Sequence, residues 1–510
     1  MSKESRTKFA VKNIVYNVFN KILTLVLAFV SRSVFIWGFG VEYLGLNGLF
    51  ADILNLLSMA DLGFGIAMVY SFYEPLEKND KIKLAGLVNF YKKTYNIIAA
   101  IVTIVGVMIM PLLPYLVNLE TDIPLMYVYY LFALANVVAS YLCVYKTSIL
   151  TADQKNYIIV KISMIVNLIK TMAQILSIVL FKNYIVYLAI GTIAVFINNI
   201  YASHVATKQY PYINCKYEVE KKEKKAIFKN LYSVFLYKAS SVLLNATDNI
   251  LISIIVGTIA VGYYSNYLLI QTNIVNLYAL LFTSLTASVG NVIITEGYKK
   301  RYEIFKCTQS VGFIMAGILV PCYTSLVNGF IYCWLGKNYV LDMYTVLAIG
   351  FNTYLACVLQ PLWTYREATG LYNKTKWVMV ICALLNILLS ILLGKIYGIF
   401  GIIIASGLSR ISTYIWYEPK LLFKDYFNQK VKGYYVKMII NFMVVSIITL
   451  LSYAFSEMIK TNSFLGFAVK AILIFMFSTF VSTIVYRNSD GVIQIKHRVG
   501  AIIDSYRKLK

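Results

Sequence analysis

Apolar segments of 20 residues or more, separated by short polar connections, run through almost the whole chain. A helix rises 1.5 Å per residue, so roughly 20 apolar residues cross the ~30 Å hydrocarbon core of a bilayer. The pattern predicts fourteen spanning helices, at residues 13–37, 44–73, 94–113, 125–146, 158–181, 185–204, 231–256, 263–294, 304–326, 341–365, 378–394, 401–417, 438–456 and 464–486. The predicted fold class is therefore an all-α polytopic membrane protein.

Two of the predicted connections are thin, and two of the predicted spans are long. At 182–184 and 395–400 one long helix could replace two. The spans that begin at residues 44 and 263 are about 30 residues long, so we expect them to tilt strongly or to extend beyond the membrane.

The segment from Lys12 to Gly45 recurs 217 residues later, between Lys229 and Gly262. The residues that match at this offset are Lys12 and Lys229, Asn13 and Asn230, Lys21 and Lys238, Leu27 and Leu244, Gly40 and Gly257, and Gly45 and Gly262. We call Lys12–Gly45 the first repeat segment and Lys229–Gly262 the second. Because the second segment contains the seventh predicted helix and the first segment the first, the offset is six helices, an even number, so the repeat is parallel and predicts two six-helix lobes around a central cavity.

The repeat divides the chain into five parts. We expect an N-terminal lobe at 1–206, a basic cytoplasmic linker at 207–230, a C-terminal lobe at 231–418, two additional helices at 419–486 and a cytoplasmic tail at 487–510. The linker contains several lysines that could bind anionic membrane lipids, although a solvated signal for topology is the simpler interpretation.

Composition agrees with this picture, with 59% hydrophobic residues and a mean hydropathy of +0.70. The net charge of +24 comes from short connections on alternate sides, which argues against nucleic-acid binding. Among the 47 Lys and Arg residues, those assigned to the outer side are Lys182, Lys337, Lys395 and Lys460. Lys and Arg gather on cytoplasmic loops, so both termini are predicted to be cytoplasmic. Seven scattered cysteines and two distant histidines indicate neither a metal nor a redox site.

Charged residues within spans are costly, and they usually face a wet cavity or a partner. Lys21 and Arg32 are eleven residues apart and lie within about 20° of one helical face. They predict a cationic stripe on the first helix. The alternative is that both side chains reach to opposite membrane interfaces.

The second repeat segment supplies Lys238 and Asp248. Asp248 is a candidate partner for Arg32, and a purely structural ion pair is the alternative. Asp52 and Asp61 are half a helical turn out of phase, so only one can face a common cavity, and the glycines after Asp61 favour that residue.

In the twelfth predicted helix, Arg410 lies among small residues in Ser406-Gly-Leu-Ser-Arg-Ile-Ser412 and is a further candidate cavity cation. The chain has no G-x-x-x-x-G-K nucleotide-binding loop, so an ATP-driven pump on this chain alone is excluded.

Four short motifs carry a family resemblance, namely Glu42-Tyr-Leu-Gly-Leu-Asn47, Ala60-Asp-Leu-Gly-Phe-Gly65, Asp248-Asn-Ile-Leu-Ile252 and Val261-Gly-Tyr-Tyr-Ser265. With the two predicted lobes and two extra helices, the chain resembles polysaccharide repeat-unit flippases of the multidrug/oligosaccharidyl-lipid/polysaccharide exporter superfamily. The resemblance implies a non-enzymatic transporter in the bacterial cytoplasmic membrane. The implied substrate is an undecaprenyl-diphosphate-linked oligosaccharide for capsule or another surface polysaccharide, moved outward by alternating access.

In such relatives, basic residues on helices 1, 2, 7 and 8 hold the pyrophosphate. Arg32, Lys21 and Lys238 fit this pattern, whereas the predicted helix 8 has no basic residue and helix 2 carries only acids. Asp61 or Asp248 would exchange Na⁺ or H⁺ for coupling, and no other cofactor is expected.

The resemblance also implies polysaccharide polymerase machinery as a candidate partner, and we expect the protein itself to be a monomer. The alternatives are a lipid II flippase, a cation-coupled multidrug exporter and, least favoured because the predicted outer connections are short, a membrane glycan polymerase.

Overall fold

The computed structural model describes residues 3–61, 64–119, 123–215, 217–219, 221–459, 463–494 and 496. Within these ranges every regular element is helical, which confirms the predicted fold class. The chain divides into two compact units, Met1–Gly262 and Tyr263–Lys510.

The described residues of the first unit contain nine complete α-helices. They are α1 (Lys3–Leu57), α2 (Phe64–Glu77), α3 (Lys81–Ile109), α4 (Leu113–Leu116), α5 (Met126–Tyr141), α6 (Val144–Ala152), α7 (Asn156–Phe181), α8 (Tyr184–Gln209) and α9 (Lys221–Ile255). The core contains fully buried aromatic side chains, including Phe72, Tyr91 and Tyr130. Helix α1 packs against α7 and α9, so the two repeat segments contact each other within this unit.

The next helix, α10 (Thr258–Thr283), begins in the first unit and continues into the second. The second unit also contains α11 (Thr286–Thr295), α12 (Tyr298–Leu335), α13 (Met343–Thr369), α14 (Tyr372–Ser412), α15 (Tyr414–Leu422), a π-helix (Phe423–Phe427), α16 (Lys432–Met458) and α17 (Phe464–Tyr486).

Helix α12 is the centre of packing in the second unit, since α13, α16 and α17 all pack against it. A Cβ atom at Gly317 would lie 2.6 Å from the Ser482 hydroxyl, and Ser456 donates a hydrogen bond to the Ser325 carbonyl (3.1 Å). The two additional helices are therefore integral to this unit.

Ten described helical segments are long and apolar enough to cross a membrane, or eleven if α5 and α6, bent by 48°, form one span. Two of these segments contain a glycine with positive φ, Gly40 (φ 87°) and Gly398 (φ 61°). Each glycine lies in a predicted connection between spans. Helix α9 is not among the ten, and it carries the polar residues Lys238, Asp248 and Asn249. The total of fourteen spans stays a prediction.

The predicted connection at 182–184 is present, because Lys182 adopts a left-handed conformation (φ 47°) that ends α7. The Asn183 side chain then accepts hydrogen bonds from the backbone N–H groups of Ile185 (2.9 Å) and Val186 (3.3 Å). This N-cap satisfies amide groups that the start of α8 leaves unpaired.

Three predicted spans are not single continuous helices, although 125–146 and 263–294 each still fall on helical segments that are apolar and long enough to form one span. A 3-10 helix, Ser58–Asp61, divides 44–73, the bend between α5 and α6 divides 125–146, and a turn at Ser284 divides 263–294. The first break comes shortly before the glycines at positions 63 and 65 of the sequence. Average hydropathy does not register such short interruptions.

The predicted linker, 207–230, is partly helical. A 3-10 helix, Pro211–Asn214, follows α8, and α9 already begins at Lys221. Between them the chain is held to α3, since the Asn89 amide donates to the Cys215 carbonyl (2.6 Å). Lys93 and Glu218 form an ion pair at 3.2 Å.

Candidate functional site

The two repeat segments meet at their matching glycines. A Cβ atom at Gly45 would lie 2.0 Å from the Thr258 carbonyl oxygen, and one at Gly262 would lie 2.5 Å from the Val41 carbonyl oxygen. Both distances are far below van der Waals contact with a backbone atom. Only glycine at these two positions allows the two segments to approach this closely.

A second pair of matching glycines turns the chain just before this contact. Gly40 has φ 87° and Gly257 has φ 132°, and no Cβ contact within 4 Å crowds Gly40. Here glycine is needed for its backbone conformation, because positive φ is strained for residues with a side chain. The sequence repeat is therefore also a repeat of backbone geometry, a helix followed by a glycine turn and a second helix.

Hydrogen bonds hold the turn after α9 to the chain that follows α4. The Thr258 N–H donates to the Asn118 carbonyl (2.8 Å), and the Asn118 N–H donates to the Thr258 hydroxyl (2.9 Å). Ser253 donates to the Leu116 carbonyl (2.7 Å) and lies 2.7 Å from the Thr258 hydroxyl. This network fixes the end of α9.

A polar bond also joins α1 directly to α9. The Asn249 amide donates to an Asp52 carboxylate oxygen at 2.6 Å, and Asn249 is only 7% exposed. The glycines that follow Asp61 favour Asp61 over Asp52 as the acid that faces the cavity. The side chain of Asp61 lies outside the described residues, so its role stays a prediction, while Asp52 is the acid with a described partner on α9.

The predicted cations of the first unit, Lys21, Arg32 and Lys238, are all partly buried. Arg32 lies close enough to Tyr187 of α8 for an electrostatic interaction, and Tyr187 shares a hydrogen bond with Ser31. Arg32 therefore has a polar and aromatic environment within the first unit.

The wall beside Arg32 is an aromatic cluster formed by α1, α5 and α8. Tyr184 stands at its centre, with ring centroids 4.7 Å from Tyr129, 4.9 Å from Tyr43 and 5.1 Å from Phe39. Edge-to-face pairs of this kind add stabilisation beyond apolar burial. The cluster packs α1 around Phe39 and Tyr43 against α5 and α8.

Asp248 is partly buried on α9. Its proposed pairing with Arg32 stays a prediction. The neighbouring residue, Asn249, donates a hydrogen bond to Asp52.

Arg410 lies in the second unit, in a buried charged cluster that the sequence did not indicate. Arg366 donates through Nη1 to both carboxylate oxygens of Glu418 (3.2 and 3.3 Å), and their side chains are only 10% and 5% exposed. Arg410 interacts electrostatically with Tyr414 and Cys382, which both also interact with Glu418. This environment explains how Arg410 is accommodated, whereas its role as a cavity cation stays a prediction.

No family model and no curated protein matches the sequence. Among solved structures, the lipid II flippase MurJ in an inward closed conformation has 19% identity and a TM-score of 0.65, covering 94% of this chain and 99% of that chain. An inward-facing multidrug resistance MATE family transporter of the MOP superfamily has 14% identity and a TM-score of 0.57, covering 78% and 93%. A MOP superfamily transporter from Pyrococcus furiosus has 13% identity and a TM-score of 0.55, covering 81% and 95%.

These similarities define the class of fold, a polytopic helical membrane protein with the architecture of flippases and exporters. More particularly, the chain has the fold shared by MurJ and the MATE transporters of the MOP superfamily.

Proposed function

We propose that the protein is a flippase that moves an undecaprenyl-diphosphate-linked oligosaccharide across the bacterial cytoplasmic membrane by alternating access, with both termini in the cytoplasm. The observation that carries the proposal is Arg32, a partly buried guanidinium on a membrane-length helix, set against Tyr187. Ionisable residues inside membrane segments are rare and usually functional.

The chemistry of the proposed substrate matches this site. A diphosphate headgroup needs a cationic path, while its polyprenyl tail can remain in lipid. Arg32 would bind phosphate bidentately, and Lys21 and Lys238 would act as point charges. Their partial burial on α1 and α9 supports these roles.

We expect the conformational change of transport to alter the close contact between Gly45 and Gly262. Both glycines lie at the predicted outer side of the membrane, Gly45 five residues after the turn at Gly40 within α1 and Gly262 five residues after the turn at Gly257 that follows α9. Release to the outer leaflet would require these tightly packed backbones to separate. Asp61 or Asp248 would couple that change to Na⁺ or H⁺.

A lipid II flippase is the second candidate, supported by the similarity to MurJ over almost the full length of both chains. A multidrug exporter is a third candidate, since MATE transporters share the fold. For cationic drugs we would expect an acidic binding site, and the candidate residues on α1 and α9 include three cations.

Transport by the purified full-length protein in proteoliposomes tests the proposal. The vesicles would carry a fluorescent undecaprenyl-diphosphate-linked oligosaccharide, lipid II or a cationic dye in parallel. We expect movement of the oligosaccharide lipid between leaflets that exceeds movement of lipid II. Faster movement of lipid II would support the second candidate, and transport of the dye alone would overturn the proposal.

A further inference from the structure

The second unit contains a cavity of about 270 Å³ where α12, α16 and the turn after α17 meet. Its walls are aromatic and aliphatic, with Phe305, Phe313 and Ile440 among them, and Lys306 and Lys437 line it as well. At about 30 Å³ for each water-sized group, this volume holds roughly nine such groups. That is the size of a small polar headgroup.

Among the described residues, four buried polar atoms of side chains that line this cavity have no hydrogen-bond partner. They are Gln309 Oε1, Tyr434 OH, Asn441 Oδ1 and Ser489 Oγ. Gln309, Tyr434 and Asn441 are 5%, 4% and 1% exposed. A buried polar atom left unpaired costs about 1–3 kcal/mol, so the four atoms around this cavity need partners from water or from a bound ligand.

The two amide groups are held in a fixed orientation. Gln309 Nε2 donates to the Val358 carbonyl (3.2 Å), and Asn441 Nδ2 donates to the Phe313 carbonyl (3.4 Å) and to the Tyr486 hydroxyl. Both amide nitrogens donate to protein groups, so the carbonyl oxygens are the polar atoms of these two cavity-lining side chains that have no described partner. These oxygens accept hydrogen bonds, so the ligand must supply hydroxyl or N–H donors.

Two lysines share a single carboxylate beside these atoms. Lys306 and Lys437 lie 3.5 and 3.7 Å from Asp490, and the side chains of Lys437 and Asp490 are 58% and 60% exposed. One carboxylate between two ammonium groups leaves a net positive charge. The exposed part of the cavity therefore favours an anion.

The same cavity has an apolar opening. Ile440 is 54% exposed on α16, next to Val436 (48%) and Met443 (59%), and α16 is long and apolar enough to cross a membrane. In a membrane-spanning helix, exposed apolar side chains such as these are expected to contact lipid. Lys306 and Lys437 lie at the helix ends that the sequence assigns to the cytoplasmic side.

From these observations we propose that the cavity binds an anionic phospholipid with a hydroxylated headgroup, of the phosphatidylglycerol type, from the cytoplasmic leaflet. Lys306 and Lys437 hold its phosphodiester, Gln309 and Asn441 accept hydrogen bonds from its hydroxyl groups, and its acyl chains lie along Ile440. This proposal does not depend on the proposed function.

Native mass spectrometry of the full-length protein in detergent, titrated with phosphatidylglycerol or phosphatidylcholine, tests the site. We expect preferential binding of phosphatidylglycerol. The double variant Lys306→Gln/Lys437→Gln should lose roughly 30-fold in affinity, at about 1 kcal/mol for each lysine. Asp490→Asn removes the competing carboxylate and should strengthen binding.

The matched control is Lys299→Gln/Lys430→Gln, which removes two exposed charges near the starts of the same two helices, α12 and α16, without touching the cavity. It should bind phosphatidylglycerol as the wild type does. Equal losses in both double variants would show a diffuse surface effect and overturn the proposal. Equal binding of the two lipids, or stronger binding of undecaprenyl phosphate, would overturn it as well.

Gln309→Leu tests recognition of the headgroup hydroxyls apart from binding of the phosphate by the lysines. It should reduce the preference for phosphatidylglycerol over phosphatidic acid, which has no headgroup hydroxyls, while phosphatidic acid still binds. An unchanged preference would contradict the assigned role of the Gln309 carbonyl oxygen.

Discussion

The two repeat segments share their backbone features but differ in their charges. Gly40 and Gly257 both turn the chain with positive φ, and Gly45 and Gly262 both allow close approach. At the position of Arg32 in the first segment, however, the second segment has Asn249. The difference indicates that both segments keep the same backbone geometry, a helix, a glycine turn and a second helix. Their polar side chains at the matching position serve different purposes.

The residues that contact Arg32 and Asn249 also differ between the two segments. Arg32 lies against Tyr187 within the first unit, whereas Asn249 binds Asp52 across the contact between α1 and α9. The first segment therefore offers a cation, and the second uses the matching position to hold the two segments together. Three experiments can break or sharpen this comparison.

The largest effect is expected from Gly45→Ala. The new Cβ atom would lie 2.0 Å from the Thr258 carbonyl oxygen, so the backbone must move, and overpacking of this kind costs about 1–3 kcal/mol or more. We expect a lower melting temperature in detergent and loss of transport. Gly262→Ala should behave similarly, because its Cβ atom would also meet a backbone oxygen.

Gly48→Ala is the control for this experiment. It lies one turn further along the same helix, and its Cβ atom would meet only the Val261 side chain, at an ordinary 3.5 Å. It should resemble the wild type. If Gly45→Ala and Gly48→Ala had the same melting temperature and activity, the close contact would not matter.

A smaller effect, confined to transport, is expected from Arg32→Asn, which gives the first segment the residue of the second. Loss of a charge-assisted hydrogen bond is worth about 1.5–3 kcal/mol, so transport should fall at least about tenfold at normal membrane abundance. Arg32→Lys should retain part of the activity, because it keeps the charge but loses bidentate geometry.

Lys182→Asn is the matched control for Arg32→Asn, because it also replaces a basic residue with asparagine. Lys182 lies over the exposed Trp37 ring at 4.8 Å, and Asn tolerates its left-handed backbone. This variant should keep full transport. Full transport by Arg32→Asn, measured at equal abundance, would remove Arg32 from the proposed mechanism.

The smallest effect is expected from the bond between Asp52 and Asn249. A double-mutant cycle with Asp52→Ala and Asn249→Ala, measured as unfolding free energy, should give a coupling of about 0.6–1.7 kcal/mol, the range for hydrogen bonds between membrane helices. Additive effects of the two substitutions would mean that the 2.6 Å contact does not stabilise the helix pair.

Much of the architecture could be predicted from the sequence, because hydropathy indicates the long helices and the repeated glycines indicate the turns and close contacts. The spanning pattern predicted the all-helical class, and the offset of 217 residues found glycines whose shared geometry the structure confirms. The connection at Lys182 was also predicted. The breaks within 44–73, 125–146 and 263–294 were missed, since a turn of a few residues barely changes the average hydropathy of a long span.

The partners of the polar side chains were decided only by the tertiary structure. Asp52 and Asn249 are 197 residues apart in sequence, and Arg366 and Glu418, which form the buried pair near Arg410, are 52 residues apart. Sequence identified costly charges on α1, α9 and α14 because each must be accommodated in the membrane. The groups that pair with these charges depend on which helices pack against each other. Helical periodicity predicts the face of the helix on which a residue lies, but it does not predict which helix packs against that face.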